Sequence, residues 1–314
     1  MYAYGPVPSR RFGRSVGVSP IPEKTCSYSC VYCQLGRTKT LTTKRHSFFP
    51  KEAVFADIEK VVRANEGKID YITFVGDGEP TLSLDLGALI HECKQSFPYK
   101  VAVITNGSLL WMEDVRQDLR EADVVNITMT TSDPDTFKGM HRPHGSLRFE
   151  QVWQGIQQFA AEFKGQIWAE IMLVDMVNTD TEAMKALKAL IDSVHPERTY
   201  VMAPTRPPAE PWVHMPRPET ILEALALFGG ENVTQLEEGS FGLDEFHSAE
   251  EAISEICRRH PLRIAQARTI EAYFAQRTLD RLIASGKFKI VSYQNRKYVL
   301  PFEFVFGKQE QAYS

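Results

Sequence analysis

Three cysteines lie close together in the stretch Cys26-Ser-Tyr-Ser-Cys30-Val-Tyr-Cys33. Thiolates are the usual protein ligands of iron–sulfur clusters, and a four-iron cluster held by three cysteines leaves one iron open to another ligand. The spacing therefore predicts a cluster site that can also bind a small molecule.

Two other interpretations of these cysteines are weaker. A structural zinc site needs a fourth ligand, and the nearest candidate, His46, is thirteen residues beyond Cys33. A disulfide framework would leave one of the three clustered thiols over. The other two cysteines, Cys93 and Cys257, fall in stretches that predict helices, and their apolar surroundings indicate core thiols.

The cysteine spacing, with the aromatic Tyr32 just before the third cysteine, resembles the signature of the radical S-adenosylmethionine (SAM) superfamily. The resemblance implies a [4Fe-4S] cluster on Cys26, Cys30 and Cys33, with SAM chelated to the open iron and Tyr32 beside the cofactors. In that family an electron from the cluster cleaves SAM to a 5′-deoxyadenosyl radical, which abstracts hydrogen from a substrate. An electron donor such as flavodoxin or ferredoxin is implied. Because the chain has five cysteines in all, we expect a single cluster.

Further segments resemble motifs of the same family, mostly at the ends of predicted strands. A buried strand over residues 70–75 breaks at Gly76-Asp-Gly-Glu-Pro80, which is similar to the family's Gly-Gly-Glu-Pro segment except for the aspartate between the glycines. The resemblance implies that SAM is bound by Gly76, Gly78, Glu79, Asn106, Ser132 and Glu170. Glu170 is a lone acid among apolar residues and needs a polar partner, for which a SAM ribose hydroxyl is suited.

Strands and helices alternate through the first two thirds of the chain. The predicted strands cover residues 10–20, 70–75, 101–104, 124–129, 167–174 and 200–202, with helices of about ten to fifteen residues after most of them. Such alternation predicts an α/β fold with a parallel sheet, whose active site lies at the carboxyl ends of the strands. Six strand–helix units match the partial (β/α)6 TIM-like barrel of the radical SAM superfamily.

Composition and charge bound the remaining possibilities. The chain has 314 residues, of which 43% are hydrophobic and 24% charged, as in globular proteins with one large and one small domain. It has no run of eighteen apolar residues and no signal-peptide pattern at its start, so we expect a cytoplasmic protein without a membrane segment. The net charge is −4, yet residues 1–51 contain nine Lys and Arg against one acid. This basic block could face an anionic substrate, offset the charge of a cluster, or form a solvated surface.

The end of the chain predicts a second, smaller domain. We divide the chain into a radical SAM barrel with its basic N-terminal segment over residues 1–230, a linker over 231–244 and a small domain over 245–314. Helices at 249–259 and around 278–283 precede a hairpin of strands 288–293 and 297–300, which resembles a winged helix. The domain is either a recognition module or a module for capping or dimerisation. Since the SAM motifs all precede residue 215, deletion of the small domain is expected to spare cluster assembly.

The substrate is predicted only in outline. Residues 5–14, 24–36 and 206–208 resemble a poorly characterised group of radical SAM proteins classed beside the wybutosine-synthesising tRNA enzymes. With the basic N-terminal block, this resemblance favours tRNA or another nucleic acid. The alternatives are an enzyme that modifies a peptide or protein and, less favoured, a cluster-bearing regulator that binds DNA. The residues expected to contact phosphate in the hairpin are Lys287, Lys289, Arg296 and Lys297.

One further loop is expected near the site, with its side chains either in contact with the substrate or solvated. It contains His141, Arg142 and His144. The sequence assigns no catalytic residue for the hydrogen-transfer step.

Overall fold

The computed structural model describes residues 1–234, 241–244 and 246–304. Its helices are α1 (Lys51–Ala64), α2 (Leu86–Ser96), α3 (Glu113–Leu119), α4 (Pro134–His141), α5 (Phe149–Glu162), α6 (Thr181–Asp192), α7 (Pro218–Phe228), α8 (Ala249–Arg259), α9 (Ile264–Tyr273) and α10 (Leu279–Ala284). Its strands are β1 (Ala3–Ser9), β2 (Gly13–Val18), β3 (Thr25–Cys26), β4 (Thr40–Leu41), β5 (Tyr71–Phe74), β6 (Lys100–Thr105), β7 (Val124–Thr128), β8 (Gln166–Met172), β9 (Arg198–Met202), β10 (Glu231–Asn232), β11 (Leu262–Arg263), β12 (Phe288–Tyr293) and β13 (Arg296–Pro301). In these described parts of the chain, no helix combines the length and apolar character needed to cross a membrane.

The main sheet has eight strands in the order β1-β2-β5-β6-β7-β8-β9-β10. β1 and β2 form an antiparallel hairpin, and the later neighbours are parallel. A helix follows each of β2, β5, β6, β7, β8 and β9, which makes six strand–helix units. The predicted α/β partial (β/α)6 barrel is therefore confirmed.

Apolar side chains at helical spacing hold the helices on this sheet. Ile58 of α1, Leu89 of α2, Ile156 of α5 and Leu187 of α6 all lie in one continuous core with the strands. Burial of such a side chain contributes roughly 1.5–3 kcal/mol, so the sheet and its helices form a firm support for the loops at the strand ends.

The N-terminal strand differs from its prediction. Residues 10–20 were expected to form one strand, whereas β2 is shorter and an unpredicted β1 precedes it. β1 contains Pro6 and Pro8, which have no N–H group, and proline within a run of residues argues against a strand except at a sheet edge. The structure places β1 at the edge of the sheet beside β2. Arg10 and Arg11 lie in the turn between these two strands.

The C-terminal unit follows the order α8-β11-α9-α10-β12-β13, and β13 lies between β11 and β12 in its sheet. The predicted helices and hairpin are present. α9 and the two-residue β11 were not predicted, because polar residues interrupt the apolar pattern of α9 on most of its surface. The hairpin turns at Gln294 and Asn295, both with positive φ, as a two-residue type I′ turn requires.

The predicted linker contains described elements. Glu231 and Asn232 form β10, which pairs in parallel with β9. Phe241 and Leu243 belong to the apolar core of the C-terminal unit. Residues 235–240 and 245 lie outside the described residues.

The C-terminal unit packs directly against the loop that carries the three cysteines. The hydroxyls of Tyr293 and Tyr298 donate to the carbonyls of Pro204 and Thr205, at 2.8 and 2.9 Å. An apolar cluster joins the two parts of the chain and contains Leu35, Val291, Tyr293, Tyr298, Leu300 and Phe304, with Cys33 packed on it. These contacts argue against the expectation that deleting residues 245–314 spares cluster assembly.

Candidate active site

Backbone contacts hold the cysteine loop against the end of β5. Thr25 forms a parallel bridge with Gly78, and the amide of Glu79 donates to the Thr25 carbonyl at 3.1 Å. A Cβ atom on Gly78 would lie 1.8 Å from that carbonyl oxygen. Gly78 is thus needed for the close approach of the two segments, a role that is independent of any contact with SAM.

The three cysteine side chains are half-buried and lie near one another. Burial raises the pKa of Cys26 to about 12. Burial also raises the pKa of Cys30 well above its usual value, and the sulfurs of Cys26 and Cys33 add to that effect. The Asn106 amide donates to Cys26 Sγ at 3.6 Å, and His141 Nδ1 lies 3.3 Å from Cys30 Sγ. Thiols of this kind give up their protons when they bind a metal, and hydrogen bonds to sulfur are a feature of iron–sulfur sites.

His141 is part of the support of the cysteine loop. Its Nε2 lies 2.6 Å from Thr130 Oγ1, and its Nδ1 lies 3.2 Å from Tyr32 Oη. The residue is 3% exposed, and burial lowers its pKa to about 3, so the imidazole is neutral. The sequence analysis expected His141 to be solvated or to contact the substrate; the structure instead places it between Tyr32 and Cys30.

Glu210 connects the cysteine loop to the segment after β9. Its carboxylate accepts from Arg37 Nε and Nη2 at 2.7 and 2.9 Å and also pairs with Arg142. Burial raises the pKa of Glu210, but the two guanidinium groups lower it further than burial raises it. Arg142 thus has a structural partner, while His144 is half-buried beside Ser146.

The zinc interpretation finds no support. Among the described residues, no three His, Cys, Asp or Glu side chains come together as they would around a single metal ion. The ring of His46 lies against Phe48, with 5.7 Å between ring centroids. Cys93 and Cys257 are fully buried in two separate apolar cores, as expected of core thiols.

Glu79 holds the ends of two strands together. It is 2% exposed, and its Oε1 accepts from the Thr81 amide, the Thr81 hydroxyl and the Thr105 hydroxyl at 3.1, 2.6 and 2.7 Å. Its Oε2 accepts from the Asn106 amide at 2.8 Å. Burial raises the pKa of Glu79, and these donors oppose that effect. The carboxylate therefore links the segment after β5 to the end of β6.

Asn106 connects Glu79 to the cysteine loop. Its side-chain amide donates to Ser27 Oγ at 2.9 Å as well as to Cys26, while its Oδ1 accepts from the Ser108 amide at 2.9 Å. Ser27 and Ser108 also share a hydrogen bond of 2.6 Å. The predicted SAM contacts Glu79 and Asn106 thus form a polar support for the first cysteine.

Glu170 and Ser132 occupy different environments. Glu170 lies on β8, accepts from the Asn126 side chain at 2.9 Å and pairs with Arg11. The partner that a buried acid requires is therefore an arginine from the turn after β1, which the sequence analysis missed. Ser132 is half-buried two residues before α4 and is not among the residues that line the cavity described next.

A cavity of about 340 Å³ lies inside the barrel beside the cysteine loop, a size within the usual range for ligand sites. Of the residues predicted to contact the cofactors, Tyr32, Cys33, Gly76 and Glu170 line it. Its other polar lining includes Ser9, Arg10, Arg11, Gln34, Thr205, Arg206, Arg259 and His260. Asn106 borders a separate small space of about 20 Å³ with Tyr28, Thr130 and His141.

The C-terminal unit completes the wall of this cavity. Arg259 and His260 lie at the end of α8 and line the cavity. Arg206 Nη1 donates to Gln34 Oε1 at 2.7 Å, and its Nη2 lies 3.0 Å from His260 Nε2. Residues 24–36 and 206–208 carry motifs of the resemblance, but no sequence motif pointed to Arg259 or His260 or to the contacts, which join segments far apart along the chain.

Comparison with known proteins agrees with this arrangement. Residues 21–187 match the family model described as the radical SAM superfamily. The chain belongs to the radical SAM superfamily. The UPF0026 protein MJ1312 of Methanocaldococcus jannaschii is 34% identical to it, and the alignment covers 95% of each chain.

Two other comparisons are more distant. A probable GTP 3′,8-cyclase of Thermoplasma volcanium is 30% identical over 37% of this chain and 33% of its own. A crystal structure of a radical SAM methyltransferase from Sphaerobacter thermophilus superimposes with a TM-score of 0.55 at 16% identity, over 72% of this chain and 67% of the other. The latter likeness shows the fold alone.

The chain is accordingly a radical SAM enzyme, and its cofactors are a [4Fe-4S] cluster and SAM. The residues present fit both groups. Three neighbouring thiols in a half-buried loop would supply the sulfur ligands, and side chains of Asn106 and His141 already lie against two of the sulfurs. The adjoining cavity, with Gly76 and Glu170 in its wall, offers space for a ligand beside Cys33.

Proposed function

We propose that this radical SAM enzyme uses a single cluster and acts on an anionic substrate, with tRNA or another nucleic acid as the favoured class. When bound, the cluster would supply the electron for reductive cleavage of SAM, and SAM would supply the radical chemistry that removes hydrogen from the substrate. The proposed cluster ligands are Cys26, Cys30 and Cys33. The residues proposed to contact or position SAM are Tyr32, Gly76, Gly78, Glu79, Asn106, Ser132 and Glu170.

The charge of the cavity wall supports an anionic substrate. The arginines that line the cavity are Arg10, Arg11, Arg206 and Arg259, whereas Glu170 is the one carboxylate among its described lining residues. Arginine binds phosphate oxygens with two parallel hydrogen bonds and keeps its charge at any physiological pH. A wall with this composition favours a phosphate-bearing group over a neutral or cationic one.

The size of the cavity limits how a large substrate can enter. SAM and the reacting part of the substrate must share about 340 Å³, so a nucleic acid presents a single nucleotide, as enzymes that modify bases require. The Thermoplasma volcanium relative, which is similar to 37% of this chain, is named for a nucleotide, as a probable GTP 3′,8-cyclase. Both points favour a nucleotide unit as the reacting group.

The C-terminal hairpin gives weaker support to nucleic-acid binding. Lys287 pairs with Glu250 at 3.1 Å, and it lies at the end of the hairpin opposite to the turn. Arg296 and Lys297 are exposed next to the turn, roughly 15 Å from Lys287 at the rise of a β-strand. The four basic residues predicted to contact phosphate are therefore spread along the hairpin, and one face of this hairpin docks on the barrel.

The test uses anaerobically reconstituted protein with a flavodoxin or ferredoxin as reductant. Bulk tRNA, a DNA duplex and a mixture of uncharged peptides are each added, and 5′-deoxyadenosine is measured together with binding at two salt concentrations. We expect tRNA to raise 5′-deoxyadenosine formation and to bind with an affinity that falls steeply with salt.

Arg10→Ala should reduce this stimulation, because Arg10 lines the cavity. Arg14→Ala is the matched control, since Arg14 lies on the same hairpin, is exposed and pairs with Asp70 on the surface. Stimulation by peptides and not by tRNA would assign the enzyme to peptide modification. Binding of the DNA duplex without any 5′-deoxyadenosine would support the regulator.

A further inference from the structure

Arg259 extends from the C-terminal unit to the segment that carries Gly76 and Gly78. Its Nε lies 3.3 Å from Asp77 Oδ2, and its Nη1 lies 3.2 Å from Glu255 Oε2. Its Nη2 donates to the Met1 carbonyl at 3.0 Å. The guanidinium also lies 4.8 Å from the centre of the Tyr4 ring. The side chains of Arg259 and Asp77 are both 8% exposed, so the ion pair is shielded from water.

Asp77 is fixed on its other sides as well. Its carbonyl accepts from the Lys24 amide at 2.6 Å, which ties it to the cysteine loop. Its own amide donates to Ser19 Oγ at 3.3 Å. Asp77 therefore connects three parts of the molecule: the cysteine loop, the strand end after β2 and the C-terminal unit.

This arrangement accounts for an unusual feature of the sequence. Asp77 stands between two glycines, in a turn where Gly76 has a φ of +128° and Gly78 touches the backbone of Thr25. A turn with two glycines has little intrinsic rigidity. An ion pair at its centre restricts that freedom, and a buried pair does so more effectively than an exposed one because water screens it less.

We propose that Arg259 is a positioning residue for SAM binding, and that Asp77 is present so that the docked C-terminal unit can hold the turn in its binding conformation. SAM binding and docking of the C-terminal unit then favour each other, since a coupling of this kind acts equally in both directions. This inference rests on the proposed contact of Gly76 and Gly78 with SAM.

The test compares Arg259→Met, Asp77→Asn and the double variant with the wild type, all reconstituted anaerobically. Three quantities are measured: iron per chain, the Kd for SAM, and hydrogen exchange of α8 with and without SAM. Each single variant should raise the Kd for SAM about tenfold, as expected for loss of a hydrogen-bonded ion pair. The double variant should be no worse than Arg259→Met alone, because that variant has already removed the ion pair with Asp77. Arg259→Lys keeps the charge and should restore part of the affinity.

Tyr298→Phe is the matched control, since it removes a buried hydrogen bond between the C-terminal unit and Thr205 without touching the turn. It should loosen α8 in hydrogen exchange while leaving the Kd for SAM within about twofold of the wild type, the scatter expected of an independent site. Equal effects of Tyr298→Phe and Arg259→Met on the Kd would overturn the positioning role.

Glu170→Gln separates failure of this inference from failure of the proposed site. If Glu170→Gln weakens SAM binding and Arg259→Met does not, the positioning role is wrong and the proposed site stands. If neither variant changes the Kd for SAM, the proposed site itself is wrong.

Discussion

Glu79→Gln distinguishes two roles for the buried acid. A role in binding SAM, which the family resemblance implies, makes Glu79 important only when SAM is present. In the structure the carboxylate accepts four hydrogen bonds from Thr81, Thr105 and Asn106, which makes it important for the folded chain without any cofactor. Glutamine has nearly the same shape, but one of its two terminal atoms is an NH₂ donor.

The expected loss follows from the count of donors. If the amide oxygen takes the place of Oε1, it keeps the three donors there, and the new NH₂ group faces the Asn106 N–H. A buried donor left unsatisfied costs about 1–3 kcal/mol, and the remaining bonds weaken because the acceptor is no longer charged. We therefore expect a loss of about 3 kcal/mol in the free energy of unfolding, or a fall in Tm of roughly 5–10 °C for a domain of this size.

The measurement uses protein without cluster or SAM. Urea and thermal unfolding of Glu79→Gln are compared with those of the wild type, with Glu59→Gln as the control. The Glu59 side chain is 40% exposed and pairs with Arg63 one helical turn away, so its substitution should change stability by less than about 0.5 kcal/mol. Anaerobic reconstitution then shows whether the variant that remains folded still takes up iron.

A wild-type unfolding curve for Glu79→Gln, together with a weakened affinity for SAM, would refute the structural role. Glu79 would then contact SAM directly. A loss of stability with unchanged affinity for SAM in the remaining folded protein would confirm the role that the hydrogen bonds indicate.

Three further predictions concern the cluster site. Alanine variants of Cys26, Cys30 or Cys33 should each lose the cluster. Cys93→Ala and Cys257→Ala should retain about four irons per chain. Loss of iron from Cys93→Ala or Cys257→Ala, with the fold intact by circular dichroism, would contradict a single cluster on the three clustered cysteines. Gly78→Ala should abolish iron uptake, because its Cβ would lie 1.8 Å from the Thr25 carbonyl oxygen, whereas Gly67→Ala, at a position where a Cβ would have no atom within 4 Å, should retain iron. Deletion of residues 245–314 should now lower iron uptake, since it exposes Leu35 beside Cys33; full occupancy in a soluble truncated protein would restore the expectation drawn from the sequence.

Local sequence patterns were sufficient to predict which residues of the candidate site lie together at the strand ends. Parallel strands end at the same edge of a sheet, so motifs that each follow a strand converge there whatever the details of packing. Thus Gly76, Asn106 and the cysteine loop could be grouped from the sequence. The partners of Glu79 could not, because the Thr105 and Asn106 donors lie 26 and 27 residues further along the chain. Their geometry depends on the register of β5 and β6.

Contacts with the C-terminal unit lie further beyond the reach of sequence patterns. Arg259 and Asp77 are 182 residues apart, and each belongs to a segment with an adequate local explanation. Asp77 is a turn residue, and Arg259 is a basic residue in the last turn of a helix, where positive charge is favoured in any case. The two side chains come together only because the C-terminal unit packs on the barrel. Packing of this kind leaves no repeating pattern in the sequence.

The charge of a sequence segment likewise does not show how its charged residues are paired in the folded structure. The nine basic residues of the first 51 suggested one positive surface, but most of them have individual partners. Arg14 pairs with Asp70, Arg45 pairs with Asp114 and Asp118, and Lys51 pairs with Glu92. A charge neutralised within a few ångströms contributes little to the field at longer range. Support for an anionic substrate therefore comes from the cavity wall, where arginines outnumber carboxylates, although two of them, Arg11 and Arg259, already pair with carboxylates. The net charge of the N-terminal segment adds almost nothing to that support.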